Sequence, residues 1–108
     1  MGKVKKKNKR NIVIYENSEK ALKNMNNVKI SCVMCLALMT LSEEEIKSYV
    51  ENISDIGNKY KLTSIYINES WYEDVEELSK KLNTSMSRVI NAMILGFYDK
   101  IKSLKSSE

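Results

Sequence analysis

Cys32 and Cys35 are the only cysteines of this chain, and they stand three apart in "CVMC". That spacing suits a pair of zinc ligands or a redox dithiol. Zinc takes four ligands, and the chain has no histidine and no third cysteine. A zinc site would have to be completed by carboxylates or across a subunit contact. A redox pair sits at a helix start beside a strand, whereas this one lies inside the apolar run "ISCVMCLALM" (30–39). The expectation is two small apolar residues packed in a core, with no metal and no cofactor. Free thiols without a disulfide framework fit a reducing cytoplasm, so cytoplasmic localisation is expected. No Gly-rich phosphate loop, no HExxH and no nucleophile–base pair stand out. The glutamates of "SEEE" (42–45) sit where a helix dipole and solvent already account for them. The chain is not expected to be an enzyme.

The charge is more informative. Of eighteen basic residues, six lie in "MGKVKKKNKR": Lys3, Lys5, Lys6, Lys7, Lys9 and Arg10. The remaining twelve face fourteen acids, so the rest of the chain carries −2 within a total of +4. The basicity therefore belongs to an arm over residues 1–10, solvated and without structure of its own. Such an arm binds phosphates and gains affinity by releasing counterions; the alternative is a solubilising tail. Length for one compact domain or two very small units is available in 108 residues. No apolar run is long enough for a membrane span.

The elements that would position these residues follow from periodicity. "NIVIY" (11–15) is β-branched and aromatic and reads as a short strand. "ENSEKALKNM" (16–25) has helical spacing, with Ala21, Leu22 and Met25 on one face, and "NNVK" breaks it. "ISCVMCLALMTL" (30–41) is a strongly apolar helix with Val33, Met34, Ala37 and Leu41 along one side; its apolar remainder predicts deep burial all round. Residues 42–56 form an amphipathic helix that opens on a capping box, Ser42 with Glu45. "LTSIYI" (62–67) alternates: Thr63, Ile65 and Ile67 share one face, Leu62, Ser64 and Tyr66 the other. A helix starts near Asn68 or Ser70, where Ser70 and Glu73 again fit a capping box, and carries Trp71, Val75, Leu78 and Leu82 inward. It stops at "LNTS", and a last helix runs from Met86 to about Ile101 with Val89, Ile90, Met93, Ile94 and Phe97 as its stripe. Gly96 inside it either costs stability or allows close packing. Residues 102–108 read as a polar, frayed tail.

Strand, capped helix "NESWYEDVEELSKKL", short turn "NTS" and helix "MSRVINAMILGFY" together resemble the ribbon-helix-helix proteins of the Arc/MetJ type over residues 60–100. The resemblance implies a mainly α fold with a short antiparallel β-ribbon. One such unit has too little core to fold alone, so its strand pairs with a second. Residues 11–41 resemble the same unit more weakly. Ile12 and Ile14 align with Ile65 and Ile67, and Ser31, Val33 and Met34 align with Ser87, Val89 and Ile90. The first copy is about one helical turn shorter between its strand and its second helix. Two arrangements stay open: an intrachain pseudo-dimer of units 11–41 and 60–101 joined by the connector 42–59, or a homodimer through residues 60–100.

What the resemblance implies for function is sequence-specific binding of double-stranded DNA, with the ribbon in the major groove, by a transcriptional regulator, in particular a repressor. The Lys, Asn and Ile-rich composition fits an AT-rich prokaryotic, plasmid or viral genome. The outward residues Asn11, Val13, Tyr15, Ser64 and Tyr66 would read bases. Phosphates would be held by Thr84, Ser85, Ser87 and Arg88 at the start of the last helix and by the arm Lys3, Lys5, Lys6, Lys7, Lys9 and Arg10. Neither strand is expected to place a long basic side chain squarely outward. The alternative is a protein-interaction module with the same fold, such as a plasmid-transfer accessory protein or an antitoxin.

Overall fold

The computed structural model describes residues 7–53 and 60–106. Its elements run β1 (Lys7–Tyr15), α1 (Glu16–Asn24), α2 (Ile30–Thr40), α3 (Glu43–Asn52), β2 (Tyr60–Asn68), α4 (Glu69–Lys81) and α5 (Met86–Ser106). The fold is mainly helical with one short two-stranded sheet. Both strands come from the same chain and pair antiparallel, from Lys7 opposite Asn68 to Tyr15 opposite Tyr60.

A two-stranded ribbon is marginal in water unless one face is covered. Here the covered face carries Ile12, Ile14, Ile65 and Ile67, all buried. Each contributes roughly 1.5–3 kcal/mol by leaving water. The alternation that predicted these faces continues further back than "NIVIY". β1 begins at Lys7, so the last four residues of the expected flexible arm are strand, because their backbone finds partners on Ile65–Asn68. Lys3, Lys5 and Lys6 lie outside the described residues.

The helices bury the predicted stripes. Val33, Met34 and Ala37 of α2, with Leu41 just past its end, join Val75 of α4 and Val89, Ile90, Met93 and Ile94 of α5 in one core. α5 is the hub and packs against α1, α2, α3, α4 and β1. The far side of α2 differs from expectation. Leu36 and Met39 are 41% and 76% exposed. Cys32 is exposed and Cys35 half-buried, both as free thiols. The cysteines are therefore not core residues: α2 turns one face to α5 and β2, and no described element lies over the other.

Asn26 and Asn27 turn the chain between α1 and α2 in left-handed backbone, a conformation asparagine tolerates. The Ser42 capping box forms as read: Glu45 N–H donates to Ser42 Oγ at 3.1 Å and Ser42 N–H donates to Glu45 Oε1 at 2.9 Å. α3 ends at Asn52, and residues 54–56 of the expected helix lie outside the described residues. The cap of α4 is Asn68, whose side chain accepts from Ser70 N–H, in place of a Ser70–Glu73 box. Asn83, with φ of 55°, closes the α4–α5 turn. α5 runs past Ile101 to Ser106, since Lys and Ser continue a helix without a breaker; Lys102 lies 4.8 Å from the Tyr98 ring and 3.6 Å from Asp99.

α3 buttresses α5 where Gly96 faces it. A Cβ on Gly96 would stand 3.0 Å from Leu41 and 3.2 Å from the Tyr49 ring. Tyr49 is held there by donating to Asp99 at 2.6 Å. Close approach is thus the role of this glycine. Gly96→Val should destabilise the fold by roughly 1–3 kcal/mol through overpacking, read as a lower midpoint in denaturant melts. Burial, with the bond to Asp99, pushes the Tyr49 phenol from 10.0 up to about 12. An unfolded tyrosine loses its proton first, so this contribution is intact below pH 10 and drains away between pH 10 and about 12. Stability measured across that window should fall more steeply in the native chain than in Tyr49→Phe.

Candidate nucleic-acid interface

The face of the ribbon turned away from the helices is built by alternate residues of both strands. Asn11 and Ser64 are directly opposite at its centre. Ser64 Oγ donates to Asn11 Oδ1 at 2.8 Å, and both residues are exposed. Toward one end Lys9 stands opposite Tyr66, and both are exposed; toward the other Val13 stands opposite Leu62, which is 67% exposed. Val13 and Tyr15 are half-buried. Asn11, Val13, Ser64 and Tyr66 thus share the outer face, whereas Tyr15, at the end of its strand, lines a small cavity with Tyr49, Ile53 and Leu95.

Lys9 corrects two expectations. It belongs to the ribbon face rather than to a loose arm, and it supplies the outward basic side chain that neither strand was expected to carry. The signal was present in the sequence. Counting back in twos from Tyr15 through Val13 and Asn11 reaches Lys9. The same count from Ile14 and Ile12 reaches Arg10, which accordingly faces the helices. Its guanidinium lies 4.2 Å from the Tyr72 ring centre and 3.3 Å from Glu69. Arg10 is therefore tied into the ribbon–α4 contact rather than free in an arm.

The residues predicted to hold phosphate divide as well. Ser85 caps α5, accepting from Arg88 N–H at 3.2 Å. The Thr84 N–H donates to Ser79 O at 2.9 Å. Ser87 turns to the ribbon, where its Oγ accepts from Val13 N–H at 3.2 Å. One turn on, the fully buried Asn91 accepts from Tyr15 N–H at 3.0 Å and donates to Val13 O at 2.8 Å and Ser87 O at 2.7 Å. Ser87 and Asn91 thereby seal the open edge of β1 and fix the α5 N-terminus beside the ribbon. Asn91 was missed from the sequence because it sits in an apolar stripe where only its two strand partners reveal its use.

The two halves of the chain match through these elements. A shift of 53 carries Tyr15/Glu16, the β1–α1 junction, onto Asn68/Glu69, the β2–α4 junction. The same shift carries Asn11 onto Ser64, which is also its partner in the register. α1 has nine residues and α4 thirteen, so the first half is one turn shorter; α2 and α5 then start 56 apart. Comparison with known protein families, with characterised proteins and with solved structures finds no match.

Replacing Asn91 by alanine leaves Val13 O and Tyr15 N–H without their partners. Asn91→Ala should cost about 2–4 kcal/mol, with faster hydrogen exchange at Tyr15 than at the β1–β2 ladder.

Proposed function

We propose that the chain is a tandem ribbon-helix-helix protein. Units 11–41 and 60–101 form an intrachain pseudo-dimer that binds double-stranded DNA through the outer face of the β1–β2 ribbon. The observation that carries this reading is the ribbon itself, buried on one face and open on the other, with Lys9, Asn11, Ser64 and Tyr66 grouped on the open face. The equivalence of Asn11 and Ser64, opposite each other at its centre, supports a local two-fold relation between the halves. A major groove accepts a two-stranded ribbon. The Asn11 amide can donate to the N7 and O6 acceptors of purines, Tyr66 and Val13 can touch thymine methyls, and Lys9 can reach a guanine edge or a phosphate. The start of α5, capped by Ser85 and flanked by Arg88, lies beside the ribbon and offers backbone N–H groups to a phosphate. Lys3, Lys5 and Lys6 precede the strand and would add phosphate contacts. The biological role in this reading is transcriptional regulation, as a repressor at a specific operator.

Leu62 and Tyr66, exposed on the same face, favour a second reading in which the ribbon docks on a protein. Footprinting on the chain's own promoter region separates the two. Protection of a short site is expected, and no protection at low salt would leave the protein-docking reading. In anisotropy titrations, Asn11→Ala should lose about tenfold or more in affinity for that site while binding random duplex unchanged. Lys9→Gln should make the salt dependence shallower by about one unit of slope, and replacing Lys3, Lys5 and Lys6 by glutamine should flatten it further.

A further inference from the structure

The two sides of the ribbon are not closed alike. On the β1 side, Ser87 and Asn91 seal the strand edge, and Arg10 lies over Tyr72. The matching positions on the β2 side hold Ser31, Cys35, Thr63 and Glu19. Because Val13 directs its backbone away from β2, Leu62, Ser64 and Tyr66 direct theirs away from β1. Among the described residues no side chain seals that edge as Asn91 seals the other. Shorter residues and the missing helical turn leave a cleft of about 520 Å³ between β2, α1 and the start of α2.

We propose that this cleft binds an amphipathic organic anion, an apolar body carrying one carboxylate or comparable acidic group. The volume lies in the range of small-molecule sites. Its base is apolar, with Ile14 and Ile65 buried and Leu22 and Val28 half-buried. Its rim is cationic. Lys61 is paired with Glu19, whose carboxyl this bond holds below its ordinary range. Lys23 and Lys29 line the same cleft, are exposed, and make no ion pair among the described residues. Lys29 precedes α2 without capping it by a side chain, and among the described residues nothing accepts from the Ile30 and Ser31 N–H groups. A neutral apolar molecule would use the base alone and an inorganic anion the rim alone; the cleft offers both within one molecule's reach. Ser64 and Tyr66 belong to its wall as well as to the outer face.

The proposal does not rest on DNA binding, and its test uses the full chain without DNA. Octanoate, octanol and inorganic phosphate are titrated separately and followed by amide chemical shifts. Octanoate should bind saturably and shift Val28, Thr63 and Ile65, with octanol and phosphate each at least tenfold weaker. The Lys23→Gln/Lys29→Gln double variant, which alters exposed side chains only, should weaken octanoate about tenfold and leave octanol unchanged. Octanol or phosphate binding as tightly as octanoate would overturn the proposal. So would octanoate binding that is insensitive to the double variant, or that shifts Leu36 and Met39 in place of the cleft.

Discussion

Four isoleucines, two on each strand, have one place to go. A β-ribbon of two strands cannot bury its own face, so everything else in this chain is arranged to cover Ile12, Ile14, Ile65 and Ile67. α5 supplies the cover and also the registration. Its apolar stripe packs beneath the ribbon, while Ser87 and Asn91 clip the backbone of β1 to it. A buried amide that satisfies two strand groups gives direction to a contact that hydrophobic burial alone would leave free to slide. The remaining helices then pack around α5, and α3 comes close enough for its tyrosine ring to need a glycine opposite.

Each half of the chain runs strand, helix, helix, with different side chains at matching positions. Where the second half uses Trp71 and Tyr72 on a thirteen-residue helix, the first has Ser18 and Glu19 on a nine-residue one. Where α5 carries Asn91, α2 carries Cys35. The first half is thus the slighter one on the side facing β2. α3, which has no counterpart in the second half, buttresses α5 through Tyr49 and through Glu45, whose carboxylate accepts from Lys100 at 3.1 Å.

Much of this was legible in the amino-acid pattern. Period two located the faces of β2, and period 3.6 located the inward residues of α2, α4 and α5. The Ser42 box marked the start of α3, since both of its partners lie within four residues. Features that depend on distant partners were not legible. "KNKR" reads as an arm by composition and becomes strand because Ile65–Asn68 lies alongside it. The cysteines read as core because the run around them is apolar, and they are partly open because no described element covers that side of α2. The placement of Arg10 over an aromatic ring and the use of Asn91 both needed a contact more than fifty residues away.

A ribbon made by two identical chains presents every side chain twice and comes apart on dilution. Here the pairing strands are covalently joined, so their association is unimolecular and insensitive to concentration. Lys9 faces Tyr66, Val13 faces Leu62, and no position is obliged to copy its mate. Each strand is free to diverge, one mutation at a time, without imposing the same change on the other. The outer face of such a ribbon need not repeat itself about its centre.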